Sequence, residues 1–512
     1  MRDRTVLKAL GRTLVDEVYS SPVDRVQHRF RRWMIFVPLL LFTLIVFYLV
    51  LYFTSDRTVF HADIQEHFKY GSIGSETGGT VLTPVGGVLP PYLVFKTLPK
   101  ICPEKLPGGY ASLGLVFEPG HDMPIGVSRR WRLGVEQVGL NCAACHTGTV
   151  RESPTSTPLI VLGMPAHQLD LERLFQFVLS CSLDDRLTGD NVIYQAKAMG
   201  EHVSLMQWLL LKTFLVQRLK LETLQSQNRI GPLLNGSLPQ WGRGRVDTFN
   251  PYKAVQFNWQ IDRLPRDETI GAADFPSLWN QMPREGMHLH WDGNNTSVDE
   301  RNLSASLGAG VTPVTVDHAS LQRIHDWIWT LAPPRYPFGI DQSRVARGQE
   351  IFNQQCAECH SFGGRKTGTV EDISSIATDP FRLNSYTYAF AANQAELYPD
   401  SRYRFTHFSK TNGYANQPLD GVWARAPYLH NGSVPTLADL LKAPADRPKQ
   451  FVRGYDVYEP KKVGFVYDSD EARVNGFLYD TTIPGNGNGG HLFGTRLAEE
   501  QKQDLIEYMK TL

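Results

Sequence analysis

The chain has 512 residues, 42% of them hydrophobic and 20% charged, with 52 Lys+Arg balanced by 52 Asp+Glu. That is globular composition at a length suited to two to four domains with sizeable cores. The charge balance argues against a nucleic-acid binder, six cysteines are too few for a disulfide scaffold, and the hydrophobicity argues against intrinsic disorder.

Trp33–Phe53 is a run of 21 uncharged residues, WMIFVPLLLFTLIVFYLVLYF. As a helix it spans about 31 Å, one hydrocarbon core, and it predicts a transmembrane helix over 33–53. Pro38 near its start is tolerated in such helices. A buried core helix is rarely apolar on every face for so long, and the following TSDRTVFHAD lacks the small residues of a signal-peptide cleavage site. Residues 1–32 carry eight Lys/Arg, three of them (Arg29, Arg31, Arg32) crowded against the apolar run. The positive-inside rule therefore predicts a cytoplasmic segment 1–32 and export of the rest, which in a bacterium means an inner-membrane anchor with the bulk of the chain in the periplasm. A second apolar stretch, Leu205–Leu219, is interrupted by Lys212. It is too short to span and is expected to be a buried core helix, with a helix at the membrane surface as the alternative.

Four of the six cysteines fall into Cys142-Ala-Ala-Cys145-His146 and Cys356-Ala-Glu-Cys359-His360. Two thiols one helical turn apart can each add to a vinyl group of haem, and the next residue then presents an imidazole to the iron. A thioredoxin-like redox pair does not need the fifth-position His, and a zinc site built from four thiolates leaves both histidines unexplained. The expectation is two covalently bound haems c, ligated by His146 and His360. Cys102 and Cys181 remain, either as a disulfide in an oxidising compartment or as buried thiols.

Residues 71–91 are rich in Gly and Pro and read as a loop. A helix is expected from Arg347 into Cys356, and an amphipathic helix over Leu497–Leu512, acidic early and basic late. Leu321–Leu331 predicts a similar helix, stopped by Pro333-Pro334. A helix before Cys-x-x-Cys-His and a striped helix at the end resemble the crossing helices of class I cytochromes c. The expected fold is mainly α: a first cytochrome c-like haem domain over 54–340 with a large insertion, and a second over 341–512.

Two such units with insertions resemble the bacterial di-haem cytochrome c peroxidase superfamily. Leu289-His-Trp291-Asp-Gly293 is similar to its Trp-Asp-Gly-Arg segment, which implies an electron-relay role for Trp291. Ala426-Pro-Tyr-Leu-His430-Asn-Gly-Ser433 is similar to its Ala-Pro-Tyr-x-His-Asp-Gly turn. Val138–Gly148, Pro418–Trp423 and Gly485–His491 resemble the branch of the latex-cleaving rubber oxygenases. The departures are as informative. The family's acid–base glutamate has no counterpart in the acid-free stretch Leu303–Val316, Asn294 stands where the family has Arg, and no Met follows the Tyr-x-His turn at the ligating distance. The branch resemblance implies His491 as the second ligand of haem 2, with His430 as runner-up.

For haem 1 an open sixth position is expected, with Met164 and His167 as candidate blockers. Arg243 and Arg245 in Trp241–Pro251 are assigned to the haem propionates, the alternative placing these residues or Phe249 at the ligand. His288 and His290 are read as hydrogen-bonded core residues. The functional expectation is a periplasmic di-haem oxidoreductase in which haem 1 binds O₂, peroxide or a small organic substrate and haem 2 passes electrons from a periplasmic or membrane redox partner. The competing reading is a membrane-tethered electron carrier with both haems six-coordinate.

Overall fold

The computed structural model describes residues 22–77, 89–398 and 402–512. The basic segment 1–21 and most of the expected loop at 71–91, residues 78–88, lie outside them. The chain divides into two units: residues 1–56 with 132–134, and residues 57–131 with 135–512.

The described part of the first unit is the helix Pro22–Thr54 together with residues 55–56 and 132–134, Tyr52 donating to the Gly134 carbonyl at 2.9 Å. The helix portion Phe30–Thr54, 25 residues whose most apolar 18-residue window has a mean hydropathy of 2.8, is long and apolar enough to cross a membrane. Apolar side chains point outward on all sides, among them Trp33, Ile35, Leu40, Phe42 and Phe47, which is how a helix without a preferred core face behaves.

The second unit is mixed α/β, not mainly α: about 44% of the structure is helical, and two-stranded antiparallel ribbons carry many of the connections. The 43 glycines and 32 prolines keep the helices short and leave backbone to be satisfied in ribbons. Thr147–Val150 pairs with Leu159–Leu162, Arg245–Asp247 with Ala272–Asp274, and Val370–Asp372 with Gly413–Ala415. Segments on either side of residue 340 share one core, in which Val161 and Trp279 pack with Phe352, Trp423, Tyr458 and Leu505.

Helices cover the expected places. His318–Ile328 lies over the predicted 321–331, and Gln342–Gln355 leads into Cys356 and packs against Glu499–Met509. Gly348 makes that crossing possible, because a Cβ there would collide with the Asp504 carbonyl. The Asp504 carboxylate in turn takes Arg344 at 2.8 Å and Arg347 at 2.7 Å. Around the helices Tyr92–Ile101 and Leu171–Ser182 a second core closes over a Cys102–Cys181 disulfide.

The stretch Leu205–Leu219 corrects its expectation. It begins at a Ser204–Gln207 capping box, passes through a π-helical turn at Leu211–Leu215 and continues to Leu234. Leu211, Leu215 and Val216 are buried, but Leu205, Trp208, Leu209 and Phe214 are exposed. Lys212 stays outside, paired with Asp190 at 2.8 Å and lying over the Trp208 ring at 5.0 Å. A lysine in mid-helix keeps its own face in contact with water, so the helix is a surface element and not a core one.

Candidate functional site

The two Cys-x-x-Cys-His segments fold alike. Asn141 caps the turn Cys142–Cys145, its Oδ1 accepting from the Ala143 amide and its Nδ2 donating to the carbonyls of Lys69 and Gly71. The His146 amide then bonds the Cys142 carbonyl at 3.1 Å. In the second copy, Cys356 ends the helix Gln342–Gln355 and the His360 amide bonds the Cys356 carbonyl at 3.0 Å.

Each histidine is oriented the same way. His146 Nδ1 donates to the Pro276 carbonyl at 2.8 Å, and His360 Nδ1 to the Gln417 carbonyl at 2.8 Å. Those carbonyls lie just past the strands Ala272–Asp274 and Gly413–Ala415, so the ribbons deliver the acceptors. Fixing Nδ1–H leaves the Nε2 lone pair for a metal. Burial holds His146 down at about 4 and lowers His360 as well, keeping both imidazoles neutral as ligation requires.

Burial disfavours the thiolate form of these cysteines. Burial pushes Cys142 up to about 11, and Cys145 and Cys356 up to about 12, whereas a reactive thiol has a depressed pKa. Nor do the four thiols come together as a metal cluster among the described residues. The donor set at each turn, two adjacent thiols and one neutral oriented imidazole, suits covalent haem.

The surroundings of the two turns differ. Cys145 and His146 open on a cavity of about 270 Å³ whose walls include Phe175, Trp241, Phe249, Tyr252, Tyr386 and Phe390. His360 instead faces His491, their ring centroids 6.2 Å apart. The Gly485–Gly490 run reaches this position with Gly490 at φ +70° and His491 itself at φ +47°, a backbone region that glycine enters freely. Burial, with His360 close by, holds His491 at about 3.

Trp291 touches the cavity and the ribbon that carries the His360 acceptor. It lines the cavity, its indole Nε1 donates to the Asp274 carbonyl at 2.8 Å, and its carbonyl accepts from the Ala415 amide at 2.8 Å. Two residues beyond Ala415 is Gln417, the acceptor for His360.

Other sequence-stressed residues go elsewhere. Arg243 donates to the carbonyls of Gln168 and Ser112, and Arg245 to Asn486 Oδ1 and the carbonyls of Ala272 and Gly485. Neither lines the cavity; the arginine that does is Arg382, stacked 4.3 Å over Phe249. Met164 and His167 also lie outside it. His167 bonds the Thr149 carbonyl at 2.9 Å and stacks on Phe465. His430 stacks on Tyr414 at 4.0 Å. His290, which the sequence presents as a hydrogen-bonded core residue, and Asn294, which stands where the resembled family has Arg, both line the cavity. The signal available for them was their position around Trp291.

A family model described as RoxA-like, cytochrome c-like matches residues 413–452, the segment that holds Gln417 and the Ala426–Ser433 turn. The chain is also similar to two proteins of Sinorhizobium fredii (strain NBRC 101917 / NGR234). It is 34% identical over 293 residues to Uncharacterized protein y4iM, covering 48% of this chain and 66% of that protein, so just under two thirds of that relative's length. To Uncharacterized protein y4iJ it is 27% identical over 510 residues, covering 80% of this chain and 82% of that protein. Residues 413–452 are a RoxA-like, cytochrome c-like domain, and such a domain implies haem c as cofactor.

Proposed function

We propose that the chain is a di-haem c-type cytochrome oxidoreductase of the rubber-oxygenase-like branch, anchored in the bacterial inner membrane with its haem domains, 54–340 and 341–512, in the periplasm. Cys142, Cys145 and His146 hold the first haem, and Cys356, Cys359, His360 and His491 the second. Haem supplies one-electron transfer and, where the iron keeps an open position, activation of O₂ or peroxide.

The observation that carries this reading is the unequal surroundings of two otherwise equal turns. His146 opens on an apolar cavity, and His360 is opposed by a second imidazole. Trp291 relays electrons from the His360 side to the cavity. The Cys102–Cys181 disulfide supports an oxidising compartment, and the eight Lys/Arg of residues 1–32 support a cytoplasmic N-terminus. An anchored enzyme meets a bulky extracellular polymer poorly, so the substrate class is a small oxidant or small organic molecule, with a periplasmic or membrane redox partner.

Haem stoichiometry tests the proposal. The full-length protein is expected to carry two haems that resist acid–acetone extraction, and the paired variants C142A/C145A and C356A/C359A one each. Fewer than two covalent haems in the wild type contradicts it.

A further inference from the structure

We infer that Arg447 is a positioning residue: it clamps the Gly485–His491 run so that the His491 imidazole stays opposite His360, and thereby sets how readily His491 is released from haem 2. The inference rests on the proposed function, in which His360 and His491 share that haem.

The run has little of its own to hold it. Gly485, Gly487, Gly489 and Gly490 bring no side chains, so ordering it costs more conformational entropy than ordering an average loop. His491 at its end sits at φ +47°, where a residue with a side chain persists only if its surroundings impose it. The backbone carbonyls of the run also need donors. Its first part takes them from Asn431, whose Nδ2 donates to Gly485 at 3.3 Å and Gly487 at 2.9 Å, and from Arg245, which reaches Gly485 at 3.2 Å. Its last part takes them from Arg447.

Arg447 is only 2% exposed. Its Nη1 donates to the carbonyls of Asn488 at 2.6 Å and Gly490 at 2.9 Å, and its Nη2 to that of His491 itself at 3.1 Å. Its remaining bonds run to another segment, Nη2 to the Leu440 carbonyl at 3.2 Å and Nε to the Lys442 carbonyl at 3.3 Å. One guanidinium thus ties the run to the end of the short helix Leu437–Leu440. Leu437 and Leu441 belong to the core that contains Phe352 and Leu505, and Cys356 packs against that core. His491 is therefore held to the same packed body as the Cys356–His360 turn.

The local sequence prepares the clamp. Pro448 restricts the residue before it, and Arg447 is extended at φ −71° and ψ 148°. The Pro448 carbonyl accepts from the Asn488 side chain at 3.0 Å, a second tie between the same two segments. Burying a cation is costly unless its donors are satisfied, and here backbone carbonyls satisfy them. The fixed, planar fork of arginine can bond two segments at once, which the point charge of lysine reproduces only in part. Methionine fills the same space and donates nothing.

Carbon monoxide binding to the reduced, full-length, haem-loaded protein tests this, because carbon monoxide can occupy haem 2 only after His491 has left. Stopped-flow mixing should show a slow phase limited by that release, and H491A should abolish it. R447M is expected to speed the slow phase about tenfold or more, and R447K to speed it by less, with haem content, far-UV circular dichroism and the faster phase of the His146 side unchanged. Slow-phase rates in R447M and R447K equal to the wild-type rate, even with a lowered melting temperature, overturn the inference and leave the two-haem reading intact. If R447M fails to fold or to load haem, R447K decides alone, and a wild-type rate in it overturns the inference. A slow phase that survives in H491A overturns both the inference and the assignment of His491 to haem 2.

Discussion

His360 and His491 face each other with ring centroids 6.2 Å apart and planes inclined by 41°. Two imidazoles that share a metal at about 2 Å each have ring centres roughly 6 Å apart. The spacing therefore accommodates an iron between them, although the residues are separated by most of the C-terminal part of the chain. His146 opens instead on the cavity. The functional account depends on this inequality.

If Trp291 relays electrons, W291F should slow reduction of the cavity-side haem by roughly tenfold or more while leaving both haem spectra in place. Stopped-flow reduction followed at the two sets of haem bands checks it. An unchanged rate assigns Trp291 a packing role through its bond to Asp274.

The Cys102–Cys181 bridge closes a loop over a sequence separation of 79. Removing it in C102S/C181S is expected to cost about 2–5 kcal/mol, read as a lower denaturation midpoint. A reductant should bring the wild type to the same midpoint.

Gly348 is the contact point of the helices Gln342–Gln355 and Glu499–Met509. G348V drives a side chain into the Asp504 carbonyl and should cost about 1–3 kcal/mol. Because Cys356 ends the first of these helices, the loss should appear as a lower melting temperature together with weakened retention of the ligand set at His360, while the His146 side is spared.

Glu172 is buried, accepts from the Trp241 amide at 2.6 Å and is raised by burial to about 7. Its folded pKa lies above the unfolded value of 4.5, so its contribution is fully present below pH 4.5 and is lost as pH rises through 7. The loss is on the order of 3 kcal/mol. E172Q cannot ionise, and the pH-dependent decline between 4.5 and 7 should be smaller in the variant when unfolding is measured across that range. Trp241 lines the cavity, so the cavity wall should loosen first in the wild type.

What the sequence disclosed follows the range of the interactions involved. The helices before Cys356 and at the C-terminus were legible because caps and apolar spacing are local signals. The Cys-x-x-Cys-His turns were legible because their chemistry sits within five residues. His491 was reachable through the Gly/Asn run that precedes it. The arginine of the cavity was not. Arg243 and Arg245 lie in a conspicuous Gly-Arg-Gly-Arg string, yet local and distant carbonyls take them, and Arg382 arrives from more than a hundred residues away. His290 was hidden for the same reason: nothing local distinguishes a histidine packed in a core from one lining a cavity built from distant segments. Leu205–Leu219 reads as core from its apolar content, whereas the single Lys212 and the π-helical turn together set its exposed face.

The central claim, one open site and one bis-imidazole site, is tested most directly by low-temperature EPR of the as-isolated ferric full-length protein. The account predicts one high-spin and one low-spin haem per chain, with H491A converting the low-spin signal to high-spin and leaving the other unchanged. Two low-spin signals in the wild type, or an H491A spectrum identical to the wild type, would contradict it.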